Sequence, residues 1–180
     1  MVRDEVKPKQ EEIAWILRQK RVLVTGAGGS VGSHLIRGPV GNERVEPLLE
    51  MECRHRFPYV KAYNYLVDIR HREVLDRTFR EFRPHVVFRA AAYKHVPIQE
   101  RYPWEAVYKN VIGSRNLVAA SLEGRVEEFV LVSFDKAVRP ANVMGTTKRL
   151  AEVLIEGYTE THAPASWPFV SSTSWEARGR

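Results

Sequence analysis

The sequence predicts an α/β fold in which helices cover both faces of a parallel sheet. Short runs rich in β-branched residues alternate with stretches of helical periodicity, which is the order that such sheets require. The first of these runs, at 21–25, leads directly into a glycine-rich segment at 25–32. We therefore expect a doubly wound sheet whose ligand site lies beyond the carboxyl ends of its strands.

The individual elements follow from local patterns. Strands are predicted where short apolar runs are bounded by turn residues, at 21–25, 62–67, 85–92 and 128–133. Helices are predicted where apolar residues recur at three- and four-residue intervals, at 11–19, 30–37, 47–57, 72–82, 104–122 and 142–158. The helix at 72–82 is expected to bury one face, formed by Val74, Leu75, Phe79 and Phe82.

The composition limits the class of protein. A chain of 180 residues, 44% of them hydrophobic, is long enough for one domain with a sizeable core. The single cysteine, Cys53, excludes an internal disulfide, and no apolar run approaches the roughly 20 residues of a membrane helix. We expect a cytoplasmic protein without a metal site. The net charge of +6 is spread along the chain, which favours scattered surface arginine over a nucleic-acid-binding stripe.

The glycine-rich segment has the order of a dinucleotide-binding turn, because it follows a strand and opens a helix. In such a turn one glycine allows the tight bend, one allows close approach of a diphosphate, and one allows the helix to pack against the strand. This predicts a Rossmann-type domain that binds NAD or NADP through Gly26, Gly28, Gly29, Ser30, Val31 and Gly32. A plain tight turn without a ligand is the alternative.

Two longer segments are more specific than the glycine turn. Residues 90–97 read AAAYKHVP, and residues 133–152 read SFDKAVRPANVMGTTKRLAE. Together with the turn, they make the chain resemble the extended short-chain dehydrogenase/reductases. Within these it is most similar to the UDP-N-acetylglucosamine 4,6-dehydratases of capsular-polysaccharide and flagellin-glycan synthesis. The resemblance implies a nucleotide-sugar substrate, bound NAD(P) and a lyase reaction.

The resemblance also implies contacts with the cofactor and the sugar. These fall on residues that follow predicted strands or lie in the adjoining helix, namely Asp68 and Ile69 at the adenine, Ala90, Ala91 and Ala92 along the cofactor, Lys94 and His95 near the nicotinamide and sugar, and Asn110 beside the site. Two alternatives need no ligand. Asp68 could cap the following helix, and His95 could be a structural histidine.

The segment 133–152 carries the chemistry in this resemblance. Asp135 is implied as the acid at C6 of the sugar, and Lys136 as the base at C5. Met144 and Lys148 are four residues apart and share one helix face, at the place of the family's Tyr-x-x-x-Lys motif. Methionine replaces tyrosine there, as in one branch of these dehydratases, while Lys148 is implied to hold the nicotinamide ribose. The alternative is a core methionine with surface ions at Lys148 and Asp135.

The resemblance ends near residue 158, which divides the chain. We expect a lead-in helix at 1–20, the NAD(P)-binding domain at 21–158 and an irregular tail at 159–180, with the substrate subdomain missing. Two residues differ from the usual family pattern, Arg89 in place of histidine and Phe134 in place of threonine. The hypotheses are a truncated, weakly active dehydratase and a non-catalytic nucleotide-binding module that acts through a partner. Homo-oligomers are compatible with both.

Overall fold

Three parallel strands form the sheet of the described part of the protein. The structure is a computed structural model that describes residues 20–27, 63, 66–91, 96–132 and 142–162. Its strands lie in the order β1-β2-β3, with β1 at Val22–Thr25, β2 at Val86–Arg89 and β3 at Glu128–Leu131. Their register places Thr25 beside Arg89 and Arg89 beside Leu131. The carboxyl ends of the three strands therefore meet at one edge.

Helices connect the strands, as the α/β prediction requires. Within the described residues they are α1 (Arg72–Phe82), α2 (Val96–Arg101), α3 (Pro103–Val107), α4 (Gly113–Glu123) and α5 (Val143–His162). A π-helical turn, Tyr108–Ile112, joins α3 to α4. The predicted helices at 11–19, 30–37 and 47–57 lie outside the described residues.

The core lies between the sheet and the helices α1, α4 and α5. It combines strand residues of one sheet face with apolar residues of the three helices, namely Val87, Phe129, Leu131, Leu75, Phe79, Leu117, Val118 and Ile155. Leu75 and Phe79 of α1 are buried as predicted, but Val74 is 43% exposed. The prediction for Val74 was wrong because the buried face of α1 covers fewer positions than the apolar residues of its sequence.

The predicted helix 104–122 is interrupted. The amide of Gly113 donates to the carbonyl of Tyr108, which is the five-residue spacing of a wide turn. A further helix, α2, precedes it and was not predicted. The last helix continues to His162, four residues beyond its predicted end, and Tyr158 there packs against the core.

One predicted strand is not found among the residues described at its end. Leu66 and Val67 were expected to finish a strand at 62–67, but neither belongs to the sheet. Leu66 is fully exposed, so no burial of its side chain favours strand pairing at that point. The rest of this segment, apart from Tyr63, lies outside the described residues.

Candidate active site

The start of the glycine turn lies directly against the end of β2. Gly26 has φ +69°, and a Cβ atom built on it would lie 2.7 Å from the Cα atom and 2.8 Å from the amide nitrogen of Ala91. The amides of Ala90 and Ala91 donate to the carbonyl and the Oγ1 of Thr25, each at 3.3 Å. The structure thus brings Gly26, Ala90 and Ala91 together at the carboxyl edge, whereas their contacts with a cofactor stay predictions.

Several predicted site residues lie outside the described residues, and their roles stay predictions. They comprise the rest of the glycine turn, the residues after Ala91 and the proposed acid–base pair, namely Gly28, Gly29, Ser30, Val31, Gly32, Ala92, Lys94, His95, Asp135 and Lys136.

Asp68 is the centre of a charged network. Its Oδ2 accepts from Nε of Arg70 at 2.9 Å, and its Oδ1 accepts from Nζ of Lys109 at 3.0 Å. Arg70 also contacts Glu105 at 2.9 Å. Burial acts to raise the pKa of Asp68, but the hydrogen bonds from Arg70 and Lys109 outweigh it, so this pKa lies well below its ordinary value. If an adenine amino group donated to the Asp68 carboxylate, that carboxylate would accept hydrogen bonds from the adenine, from Arg70 and from Lys109.

The alternative that Asp68 caps the following helix is wrong. The N-cap of α1 is His71, which makes no side-chain capping bond. The Asp68 carboxylate instead accepts from the amide of Arg70 at 3.0 Å, two residues along the chain. This is a local turn, and it orients the carboxylate towards Lys109 and Arg70.

Ile69 belongs to the core. It is 3% exposed, and its Cγ1 would lie 2.7 Å from a Cβ atom built on Gly113. The side chain therefore fills the space that the glycine leaves at the start of α4. Since that side chain is buried, the implied contact between Ile69 and adenine would be made by its backbone.

Met144 and Lys148 are both buried on α5, at 2% and 7% exposure. The alternative of a surface ion at Lys148 is therefore wrong, although Met144 does have the burial of a core methionine. Two hydrogen bonds hold the start of α5, one to the residue that precedes the helix and one to a residue of α2. Oδ1 of Asn142 accepts from the amide of Gly145 at 2.9 Å, and Oε1 of Glu100 accepts from the amide of Val143 at 2.6 Å.

Asn110 links the π-helical turn to α5 and α2. It is fully buried, and its Nδ2 donates to Oγ1 of Thr147 at 3.0 Å and to Oε1 of Gln99 at 3.3 Å. Thr147 lies next to Lys148 in the chain. The amide of Asn110 thus connects neighbouring helices beside the site, whereas a direct contact with the sugar stays a prediction.

Sequence patterns did not identify Gln99, Thr147 or Asn142 as parts of this arrangement. Asn142 precedes a helix, and asparagine is favoured at that position, so a signal was present for it. Gln99 and Thr147 have no comparable local signal, because their importance comes from a contact between helices that are far apart in the chain.

Metal ligands and membrane-spanning helices are both lacking in the described ranges. Among the described residues, no group of three or more histidine, cysteine, aspartate or glutamate residues is arranged to hold a metal ion. None of the described helices has the length and apolar character needed to span a bilayer.

The fold is shared with the UDP-glucose 4-epimerase of Thermus thermophilus, solved as a complex with NAD, at a TM-score of 0.65 and 25% identity over 84% of this chain and 53% of that one. The sheet order and the turn after β1 agree with this likeness, so the fold is of the Rossmann type.

Residues 22–172 match the family model described as polysaccharide biosynthesis protein. Capsular polysaccharide biosynthesis protein CapD of Staphylococcus aureus is 35% identical, over 92% of this chain and 30% of that protein. "Probable polysaccharide biosynthesis protein EpsC" of Bacillus subtilis is 41% identical, over 80% of this chain and 26% of that protein. The chain belongs to this family of extended short-chain dehydrogenase/reductases, and it spans less than a third of the length of these two relatives.

The network around Asp68 predicts a pH-dependent contribution to stability. Asp68→Asn is expected to lower the free energy of unfolding at pH 7 by about 1 kcal/mol, because two partly exposed ion pairs lose their anion. A lowered pKa in the folded state means that this contribution is present above the ordinary pKa of about 4. It is lost progressively as the pH falls below that value towards the lowered pKa.

Urea denaturation of both proteins between pH 7 and pH 2 measures this difference. The difference in the free energy of unfolding between the wild type and Asp68→Asn should become smaller as the pH falls. Asp76→Asn is a suitable comparison, because the half-buried Asp76 pairs along α1 with Arg72 at 2.6 Å, its one ion pair among the described residues. If Asp68→Asn lowered the free energy of unfolding by the same amount at every pH, the ion pairs of Asp68 would not contribute to stability as proposed.

Proposed function

We propose that the chain carries the cofactor site of a nucleotide-sugar 4,6-dehydratase that uses NAD or NADP and a UDP-N-acetylglucosamine-like substrate in polysaccharide synthesis. The observation that carries this proposal is the burial of Met144 and Lys148 one turn apart on α5. Methionine cannot exchange a proton, and its presence at this place favours the dehydratase branch that 133–152 resembles. A cytoplasmic location and a homo-oligomeric assembly belong to the same proposal.

The described residues fit a dinucleotide at the end of β1. Gly26 has a backbone conformation that other residues rarely adopt, and it leaves no room for a side chain against Ala91. This allows the chain to turn sharply where a diphosphate approaches the backbone. NAD(P)+ bound there would serve as the hydride acceptor for C4 and the hydride donor for C6. Oxidation at C4 also releases the O4 proton, which has to pass to a base other than Met144.

The protein side chains then have three tasks. Lys136 removes the proton from C5 while Asp135 donates a proton to the oxygen leaving C6, so that the C5–H and C6–O bonds break, a C5=C6 double bond forms and water departs. A proton returns to C5 when C6 is reduced. Lys148 holds the nicotinamide ribose. A lysine acts as a base only where its surroundings lower its pKa, and positive charge from Lys148 and from bound NAD(P)+ would have this effect on Lys136.

The test is incubation of the full chain with UDP-N-acetylglucosamine and NAD+ or NADP+, followed by mass spectrometry and NMR. A dehydratase gives a 4-keto sugar nucleotide lighter by one water. Substrate that carries deuterium at C4 should deliver that deuterium to C6. Binding of NADH is measured in parallel by its fluorescence.

Other products would assign other functions. An epimerised sugar of unchanged mass would replace the dehydratase proposal by a 4-epimerase, the activity that the Thermus thermophilus relative is named for. Unchanged sugar together with bound NADH would favour the non-catalytic binding module. Unchanged sugar without any NADH binding would overturn both.

A further inference from the structure

Arg89 is a buried cation, and one of its donors has no partner in the described part of the protein. It ends β2 and is 2% exposed. Its Nη2 donates to the carbonyl of Asn110 at 3.0 Å, but its Nε has no hydrogen-bond partner among the described residues. Burial lowers the pKa of Arg89 to about 10. Among the residues that the structure describes, no carboxylate forms an ion pair with Arg89, so none of them compensates its charge.

A buried cation that lacks a counter-charge opposes the stability of a fold. A charge removed from water without a counter-charge is strongly unfavourable, and an apolar residue of similar volume at the same place is often more stable. Arg89 lies at the carboxyl edge of the sheet, beside Thr25 and one residue before Ala90. Ligands of parallel sheets bind at this edge, and departures from good packing and pairing are expected at functional sites.

The hydrogen bond of Arg89 falls on the irregular part of the helix. Asn110 lies within the π-helical turn, and its carbonyl accepts from Arg89 and from the hydroxyl of Ser114. Such turns occur frequently at functional sites. The side chain of the same asparagine bonds Thr147 on α5. A continuous set of contacts therefore runs from the end of β2 to the helix that carries Met144 and Lys148.

We propose that Arg89 is a positioning residue of the site. It fixes the π-helical turn through the Asn110 carbonyl, and through the Asn110 amide it sets the position of α5 relative to the carboxyl edge. The proposal rests on the proposed function only for the role of Lys148 on α5. In this role Arg89 lowers the stability of the protein, whereas a residue that only supports the fold would raise it.

The experiment compares the full chain with Arg89→Met, Arg89→Lys and Arg115→Met. Arg115 is an exposed arginine of α4 and provides the control. Three measurements are made on each protein: the melting temperature, amide hydrogen exchange by peptide, and the Kd for NADH by fluorescence. Hydrogen exchange and melting test Arg89 whether or not the chain binds a nicotinamide cofactor.

For Arg89→Met we expect a melting temperature higher by about 2–4 °C, because a buried charge that no described carboxylate compensates is removed. Hydrogen exchange should nevertheless become faster in the π-helical turn and the first half of α5, and remain unchanged in α1. The Kd for NADH should rise by roughly 2- to 30-fold, the range typical of residues that act through others. Arg89→Lys should restore part of the slow exchange, and Arg115→Met should resemble the wild type.

A lower melting temperature or a failure to fold for Arg89→Met, with Arg89→Lys destabilised as well, would assign Arg89 a purely structural role. Unchanged exchange in the π-helical turn and α5 would also overturn the proposal. If the wild type binds no NADH, the proposed function fails by itself, while the local change in exchange still decides the role of Arg89.

Discussion

Replacing Lys136 with alanine is expected to lower the turnover of the nucleotide-sugar by roughly 10²- to 10⁴-fold, the usual contribution of a general base. The affinity for NADH should not change, because the implied contact of Lys136 is with the sugar at C5 and not with the cofactor. Turnover is measured as 4-keto product per time, and affinity by fluorescence titration. Lys136 lies outside the described residues, so this experiment tests the role that the resemblance assigns to it.

Lys148→Met is the matched comparison for this experiment. Lys148 is buried on α5 beside Thr147, and methionine keeps much of its length while removing its charge. This variant should lose cofactor affinity as well as turnover, because Lys148 is proposed to hold the nicotinamide ribose. If both variants changed only the affinity for NADH, Lys136 would have no part in the chemistry. If Lys136→Ala turned over at the wild-type rate, the assigned base would be wrong.

Replacing Gly26 with alanine is expected to have the largest effect on the fold and on cofactor binding together. A non-glycine residue at φ +69° costs about 1–3 kcal/mol. The added Cβ atom would also lie 2.7 Å from the Cα atom of Ala91. This neighbour is backbone at the end of β2, held by its bond to Thr25, so the turn has to move. Urea denaturation and NADH titration should both show the loss.

Gly157→Ala is the control for this substitution. Gly157 lies within α5, and a Cβ atom built on it would meet nothing within 4 Å. Alanine is the better helix former, so this variant should be more stable by about 0.8–1 kcal/mol and bind NADH as the wild type does. Equal effects of Gly26→Ala and Gly157→Ala would mean that the turn after β1 has no special role in this protein.

Local patterns in the sequence were sufficient for the regular parts of the fold. The helix at 72–82 was predicted with the bounds that α1 has, because its apolar spacing is local and Pro84 follows shortly after its end. The strands β1, β2 and β3 each lie within their predicted segments. The approach of Gly26 to Ala91 could also be anticipated, since parallel strands end at one edge of a sheet.

Contacts between segments that are distant in the chain were not accessible in this way. The π-helical turn, the burial of Arg89 and the bond between Asn110 and Thr147 depend on how α2, α4 and α5 pack over the sheet. The capture of Asp68 by Lys109 joins residues 41 positions apart. Periodicity and turn chemistry report the conformation of neighbouring residues, whereas the partners of a buried polar group are selected only when the helices meet. Neighbouring residues therefore determine the helices and strands of this protein, whereas the contacts of its buried polar side chains depend on how the helices pack together.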